Sequence, residues 1–182
     1  MIAQRVMRNT VLLSAVLCLH GLNGQDLAQA RPDADIDRMF HDGEKAYNSG
    51  AYAKAIDLFS QVLAQDHEHL NAYLQRGFCH SLLQEYAAAV EDFSAVIERK
   101  SDQTWAYTSR GSAYLKLGKP DLALRDLDTA IGLDPKNQEA FNNRGWTQRS
   151  LGNIESACKD WKVSKKLGNA EARIILENQR CK

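Results

Sequence analysis

Gly43, Gly77, Gly111 and Gly145 stand 34 residues apart, and Ala55, Ala89, Ala123 and Ala157 keep the same interval twelve residues further on. A fixed period of this length means that one structural unit is stacked on copies of itself. The rest of the chain has to be read in that register.

Other columns follow the same offset. Met39, Tyr73, Tyr107 and Phe141 lie four residues before each Gly; Phe59, Phe93, Leu127 and Trp161 lie four after each Ala; Val62, Val96, Ala130 and Ser164 lie seven after it. Spacings of three, four and seven put the bulky residues on one face of each of two helices per unit. The Gly and Ala columns have a steric reason, since two helix backbones approach closely only where one carries almost no side chain. The unit is therefore a pair of short helices facing each other.

In the third unit Tyr107, Gly111, Tyr114, Gly118, Ala123, Leu127 and Pro135 sit at the offsets of the tetratricopeptide repeat, and the chain resembles that family. The resemblance implies an all-α, right-handed superhelix of antiparallel helix pairs in four units, 36–69, 70–103, 104–137 and 138–169. Departures are local. His80 and Gln148 replace Tyr114 in its column, only Pro135 supplies the terminal proline, and Asp42 stands where Arg76, Arg110 and Arg144 stand in the other units. The first and fourth units read as atypical end repeats.

Composition adds mainly exclusions. The chain is 44% hydrophobic and 25% charged, with 23 basic and 23 acidic residues. No global field draws it to nucleic acid or to an anionic membrane surface.

Residues 1–30 read as a cleavable export signal. Arg5 and Arg8 precede an uncharged run from Val11 to Leu19, and Ala28, Gln29 and Ala30 form a small-x-small cleavage pattern. The run is far short of the roughly 20 residues that span a bilayer, and Ala15 and Leu17 fit poorly with lipid attachment at Cys18. The mature chain is expected to begin at Arg31, with a short tail at 31–35. Removing Arg5, Arg8 and Asp26 leaves one more acidic than basic residue, so neutrality persists.

Export gives the cysteines meaning. Cys79, Cys158 and Cys181 remain, and an oxidising compartment permits one disulfide. Residues 170–182, with Ala172, Ile174, Ile175 and Leu176, read as an amphipathic helix capping the stack; a docking helix is the alternative. If that helix turns back at Gly168, Cys158 and Cys181 lie ~15 and ~20 Å from the turn at ~1.5 Å per residue. A Cys158 to Cys181 bridge is expected, and Cys79 is expected to pack as a small hydrophobe.

Charges also follow the register. Arg76, Arg110 and Arg144 have Asp92, Asp126 and Asp160 sixteen residues later, and the first unit lacks both partners. Joint presence and joint absence predict ion pairs Arg76 with Asp92, Arg110 with Asp126 and Arg144 with Asp160, each joining the two helices of one unit.

A second stripe lies six and three residues before each Gly and one and four after it. In the family this stripe lines the concave groove. Here it contains Phe40, Tyr47, Leu74, Phe78, Trp105, Trp146 and Arg149. Its large apolar side chains exceed what a solvated face favours, and aromatic anchors among Asn, Ser and Thr suit a peptide segment. Coverage of several by the neighbouring unit is the alternative. The family's carboxylate clamp for chaperone C-termini needs Lys, Asn and Arg in columns that here hold Phe40, Glu44, Gln75, Trp105 and Ser109.

Catalysis finds no support. His67, Glu68 and His69 are too close for a one-turn zinc pair, no third ligand is identifiable, and the glycines serve helix packing rather than phosphate binding. No catalytic residue, metal or cofactor is expected. The expected protein is an exported scaffold, periplasmic or secreted, that binds a protein or peptide through the groove; an envelope assembly chaperone and, more remotely, a thiol redox protein are the rivals. No nucleic acid or stable membrane insertion is expected, and self-association through an apolar groove stays open.

Overall fold

The computed structural model describes residues 32–178 and 181, so the segment 1–30 expected to be an export signal lies outside the described residues. Within that span the chain forms α1 (Pro32–Asn48), α2 (Tyr52–Gln65), α3 (Leu70–Leu82), α4 (Tyr86–Arg99), α5 (Thr104–Lys116), α6 (Pro120–Leu133), α7 (Gln138–Ser150), α8 (Ile154–Lys166) and α9 (Ala170–Asn178). Each helix packs mainly on the next in sequence. The first helices of neighbouring pairs, α1 to α3, α3 to α5 and α5 to α7, also touch. The fold is an all-α repeat.

Residues 32–35 are not a tail but the first turn of α1. Proline is tolerated at a helix start because that backbone position needs no N–H partner. Asp35 then pairs with Arg38 one turn on, at 2.8 Å, which supports the extra turn. The segment expected at 170–182 is helical to Asn178, with Cys181 beyond it.

Helix ends follow the register too. After α1, α3, α5, α7 and α8 the chain turns through a positive φ at Gly50, Gln84, Gly118, Gly152 and Gly168. The next N–H then returns to a carbonyl five residues back, as in Lys119 to Tyr114 at 2.9 Å and Asn153 to Gln148 at 2.8 Å. This closes the orphan carbonyls at the helix end. Gln84 adopts the left-handed conformation at the cost of a Cβ clash that glycine avoids. Helix starts at His69, Asn137 and Asn169 are capped by side chains accepting from the N–H three residues on, at 3.1, 3.0 and 2.9 Å.

The core runs through the stack rather than sitting in one place. Phe59 packs with Ala72 and Cys79 of the next pair, Phe93 with Ala113, Leu127 with Ala140, and Trp161 with Ala172 and Ile175. Each glycine of the register faces the large residue sixteen positions later: Gly43 to Phe59, Gly77 to Phe93, Gly111 to Leu127 and Gly145 to Trp161. The glycines thus admit the bulky side chain of the second helix against the first.

Cys158 and Cys181 are joined by a disulfide with Cα atoms 5.5 Å apart. It ties the end of the chain to α8 and closes the last apolar cluster, where Cys181 packs beside Trp161 and Ile175. Cys79 is a free, fully buried thiol.

Candidate functional site

The three arginines of the register are structural. Arg76 donates Nη2 to Asp92 Oδ1 at 2.6 Å and Nε to Oδ2 at 3.0 Å. Arg110 holds Asp126 at 2.7 and 2.8 Å, and Arg144 holds Asp160 at 2.7 and 2.9 Å. Each guanidinium also lies over the aromatic ring three residues earlier, Tyr73, Tyr107 or Phe141, with 5.4 to 5.7 Å to the ring centre. Donating to the carboxylate of Asp92, Asp126 or Asp160 raises each arginine's pKa above its ordinary value, although burial opposes it.

A third leg was not anticipated. Nη1 of Arg76, Arg110 and Arg144 donates to Ser60, Ser94 and Asp128, at 2.9, 2.9 and 2.7 Å. These acceptors lie on the second helix of the preceding pair. One arginine therefore bolts three helices, fixing both the fold of a pair and its seat on the neighbour.

The stripe expected in the groove divides in two. Phe40 lies 5.5 Å from Phe59 and 4.7 Å from His69, ring centre to ring centre, Tyr47 packs on Tyr52 at 5.8 Å, and Leu74 joins the Phe93 cluster. All three are half-buried. The reason lies in the column three before each Gly, which faces the start of the next pair: Thr108 receives Asn137 Nδ2 at 2.9 Å and Asn142 donates to Glu171 at 2.8 Å. Phe40 and Leu74 occupy that column and are drawn inward with it.

Phe78, Trp105, Trp146 and Arg149 line open cavities; Phe78 and Trp146 are half-buried there, and Trp105 and Arg149 are exposed. Two adjoining cavities lie along the first helices. The larger, about 750 Å³, includes Ser112, Leu115, Lys116, Asn143, Trp146, Arg149 and Glu171 in its lining. The smaller, about 270 Å³, is bounded by Phe78, Ser81, Trp105, Thr108, Ser109 and Glu139. Ser112 and Asn143 line both, so the two form one trough across α3, α5, α7 and α9. Phe78 and Trp146 rest edge-on against Phe93 and Trp161, at 5.4 and 5.2 Å. Trp105 has no such support and is 59% exposed. Arg149 lies over the Trp146 ring at 5.3 Å.

Sequence reasoning missed Lys116, Asn143 and Glu171 as lining residues. The last has a specific reason: α7 begins 34 residues after α5, but α9 begins only 32 after α7. Counting by 32, Glu171 falls in the column of Glu139 and Trp105. The helix read as a cap is thus also the last wall of the trough. The histidines expected in a solvated loop are put to local use: His69 caps α3 and stacks on Phe40, while His67 pairs with Glu68 at 3.4 Å. His80 bonds Glu85 at 2.6 Å.

A stack of helix pairs with a 34-residue period, aromatic and small columns in fixed places, and an open trough along the first helices defines a helical-repeat scaffold. Residues 43–104 and 104–137 match family models described as tetratricopeptide repeat. The chain belongs to the tetratricopeptide repeat family. No curated protein matches it significantly.

Among solved structures, MamA residues 41 to the end from Desulfovibrio magneticus RS-1 superposes with a TM-score of 0.70 at 21% identity, covering 73% of this chain and 75% of that one. A second MamA crystal structure gives 0.69 at 20% identity, covering 76% and 81%. The first tetratricopeptide domain of Spaghetti (RPAP3), bound to the HSP90 peptide SRMEEVD, gives 0.62 at 26% identity, covering 64% of this chain and 93% of that one. Among the described residues no helix is long and apolar enough to cross a membrane.

Proposed function

We propose that the chain is an exported protein-interaction scaffold that binds a protein or peptide segment in the trough across α3, α5, α7 and α9. The observation that carries this reading is Trp105: a tryptophan 59% exposed, beside a trough that already holds Phe78 and Trp146. Leaving that ring in water is unfavourable, and covering it on binding recovers the apolar contact. The asymmetry of support matters as well, since Trp146 and Phe78 are braced from behind by Trp161 and Phe93. Braced rings lose little conformational freedom when a partner covers them.

Export is supported by the N-terminal pattern of residues 1–30 and by the Cys158 to Cys181 disulfide, a bond that persists in oxidising compartments. The RPAP3 structure holds the HSP90 peptide SRMEEVD, which ends Glu-Glu-Val-Asp. In this chain the clamp columns hold Phe40, Glu44, Gln75, Trp105 and Ser109, so the mode of holding differs. Trp105→Ala tests the reading without disturbing the core. Capture of partners from the native envelope fraction should fall at least about tenfold in this variant, as expected for loss of an aromatic anchor; unchanged capture would contradict groove binding.

A further inference from the structure

The larger cavity carries a charge pattern that the rest of the trough lacks. Lys116 and Arg149 end the first helices α5 and α7 and both line this cavity. In the same two columns the first two units have Tyr47 and Asn48, then Ser81 and Leu82. The cationic wall is therefore confined to the third and fourth units, at the larger of the two cavities.

Neither cation is neutralised from within the described residues. Arg76, Arg110 and Arg144 each hold a carboxylate as well as an aromatic ring. Arg149 has only the ring of Trp146, so its donors have no acceptor among the described residues. Lys116 makes neither an ion pair nor a hydrogen bond there. Glu171 lines the same cavity and keeps its charge while taking the amide of Asn142 at 2.8 Å, so two cations face one carboxylate there and neither is paired with it; Glu139 takes the amide of Asn169 at 3.0 Å. A guanidinium spread on an indole face and offered to a cavity is arranged to receive an anion.

Resting on the groove-binding reading above, we infer that the trough takes a polypeptide segment carrying an acidic side chain next to an apolar or aromatic one. The carboxylate sits between Lys116 and Arg149, and its apolar neighbour covers Trp146 and Leu115. The trough runs on past Ser112 and Asn143 into the smaller cavity, so the segment continues along it from the carboxylate, and the acid assigned here is a side-chain Asp or Glu.

The test is selection of a random twelve-residue library, displayed with its C-termini fused, on the oxidised full chain and on a Lys116→Glu, Arg149→Glu double variant. Both residues are exposed, so the variant keeps its helical circular dichroism. On the native protein, selected segments should be enriched in Asp or Glu beside Leu, Phe or Trp. They should bind the double variant about tenfold more weakly or worse, and their binding to the native protein should weaken as salt is raised.

Enrichment of neutral or basic segments, no enrichment at all, or equal binding to the double variant would overturn the inference. Trp105→Ala separates the two readings. Segments that lose binding to Trp105→Ala but not to the double variant refute the charge inference alone. Segments indifferent to both refute groove binding as well.

Discussion

Arg110 grips Asp126 with two parallel hydrogen bonds, 2.7 Å from Nε and 2.8 Å from Nη2, while its remaining Nη1 reaches Ser94 on the preceding pair at 2.9 Å. Removing one side strands the other charge in a mostly buried place. Asp126→Ala should destabilise the chain by about 3 kcal/mol in urea unfolding. The double change Arg110→Met with Asp126→Leu should cost clearly less than the sum of the singles, because no charge is left unpaired. Additive losses would show that the two residues act independently.

Glycine in this register is a packing residue, and two substitutions separate that role from helix propensity. A Cβ at Gly145 falls 2.7 Å from Cδ1 of Trp161. That indole cannot yield freely, being buried with its Nε1 donating to the Asn142 carbonyl at 3.3 Å. Gly145→Ala should therefore destabilise by about 2 kcal/mol despite the better helix propensity of alanine. Gly132, on α6, has nothing within 4 Å of such a Cβ. Gly132→Ala should stabilise by about 0.5 to 1 kcal/mol. Thermal melts of the pair check both signs.

Burial pushes the Cys79 thiol up from its ordinary 9.0 to about 11. The folded thiol ionises later than the unfolded one, so its contribution is fully present below about pH 9 and is lost as pH rises through about 11. The stability difference between wild type and Cys79→Ala should be flat up to pH 8 and shift against wild type between pH 9 and 11. A difference that stays constant across that range would rule out the linkage.

The Cys158 to Cys181 bridge closes a sequence separation of 23 residues, which in the chain-entropy view adds about 3 kcal/mol to the end of the stack. Repeat arrays lose their ends first. Reduction should raise amide exchange in α9 by about a hundredfold and leave α1 to α6 unchanged. A uniform rise along the whole chain would mean that the bond stabilises the array globally.

The sequence exposed what the register repeats and hid what breaks it. The pairing of Arg76, Arg110 and Arg144 with Asp92, Asp126 and Asp160 was readable because presence and absence go together. The third leg recurs at the same 34 residues, but its acceptor changes from Ser60 and Ser94 to Asp128, and a serine column carries little signal by itself. Glu171 was hidden by the 32-residue step into α9. Phe40, Tyr47 and Leu74 share the stripe, but a stripe gives the direction of a side chain and not what lies over it: His69 of the next pair covers Phe40, Tyr52 of the same pair packs on Tyr47, and Leu74 joins the Phe93 cluster. Trp105 escapes because it opens α5, where no ring of the second helix backs it.

Site-specific photo-crosslinking in cells that make the protein tests the central claim most directly. A photoreactive residue at Ser112, which lines both cavities, is compared with one at Asp121, exposed on the second helix α6. The account predicts a discrete polypeptide adduct from Ser112 that is lost in the Trp105→Ala background, and none from Asp121. Adducts from Asp121 with none from Ser112 would contradict it.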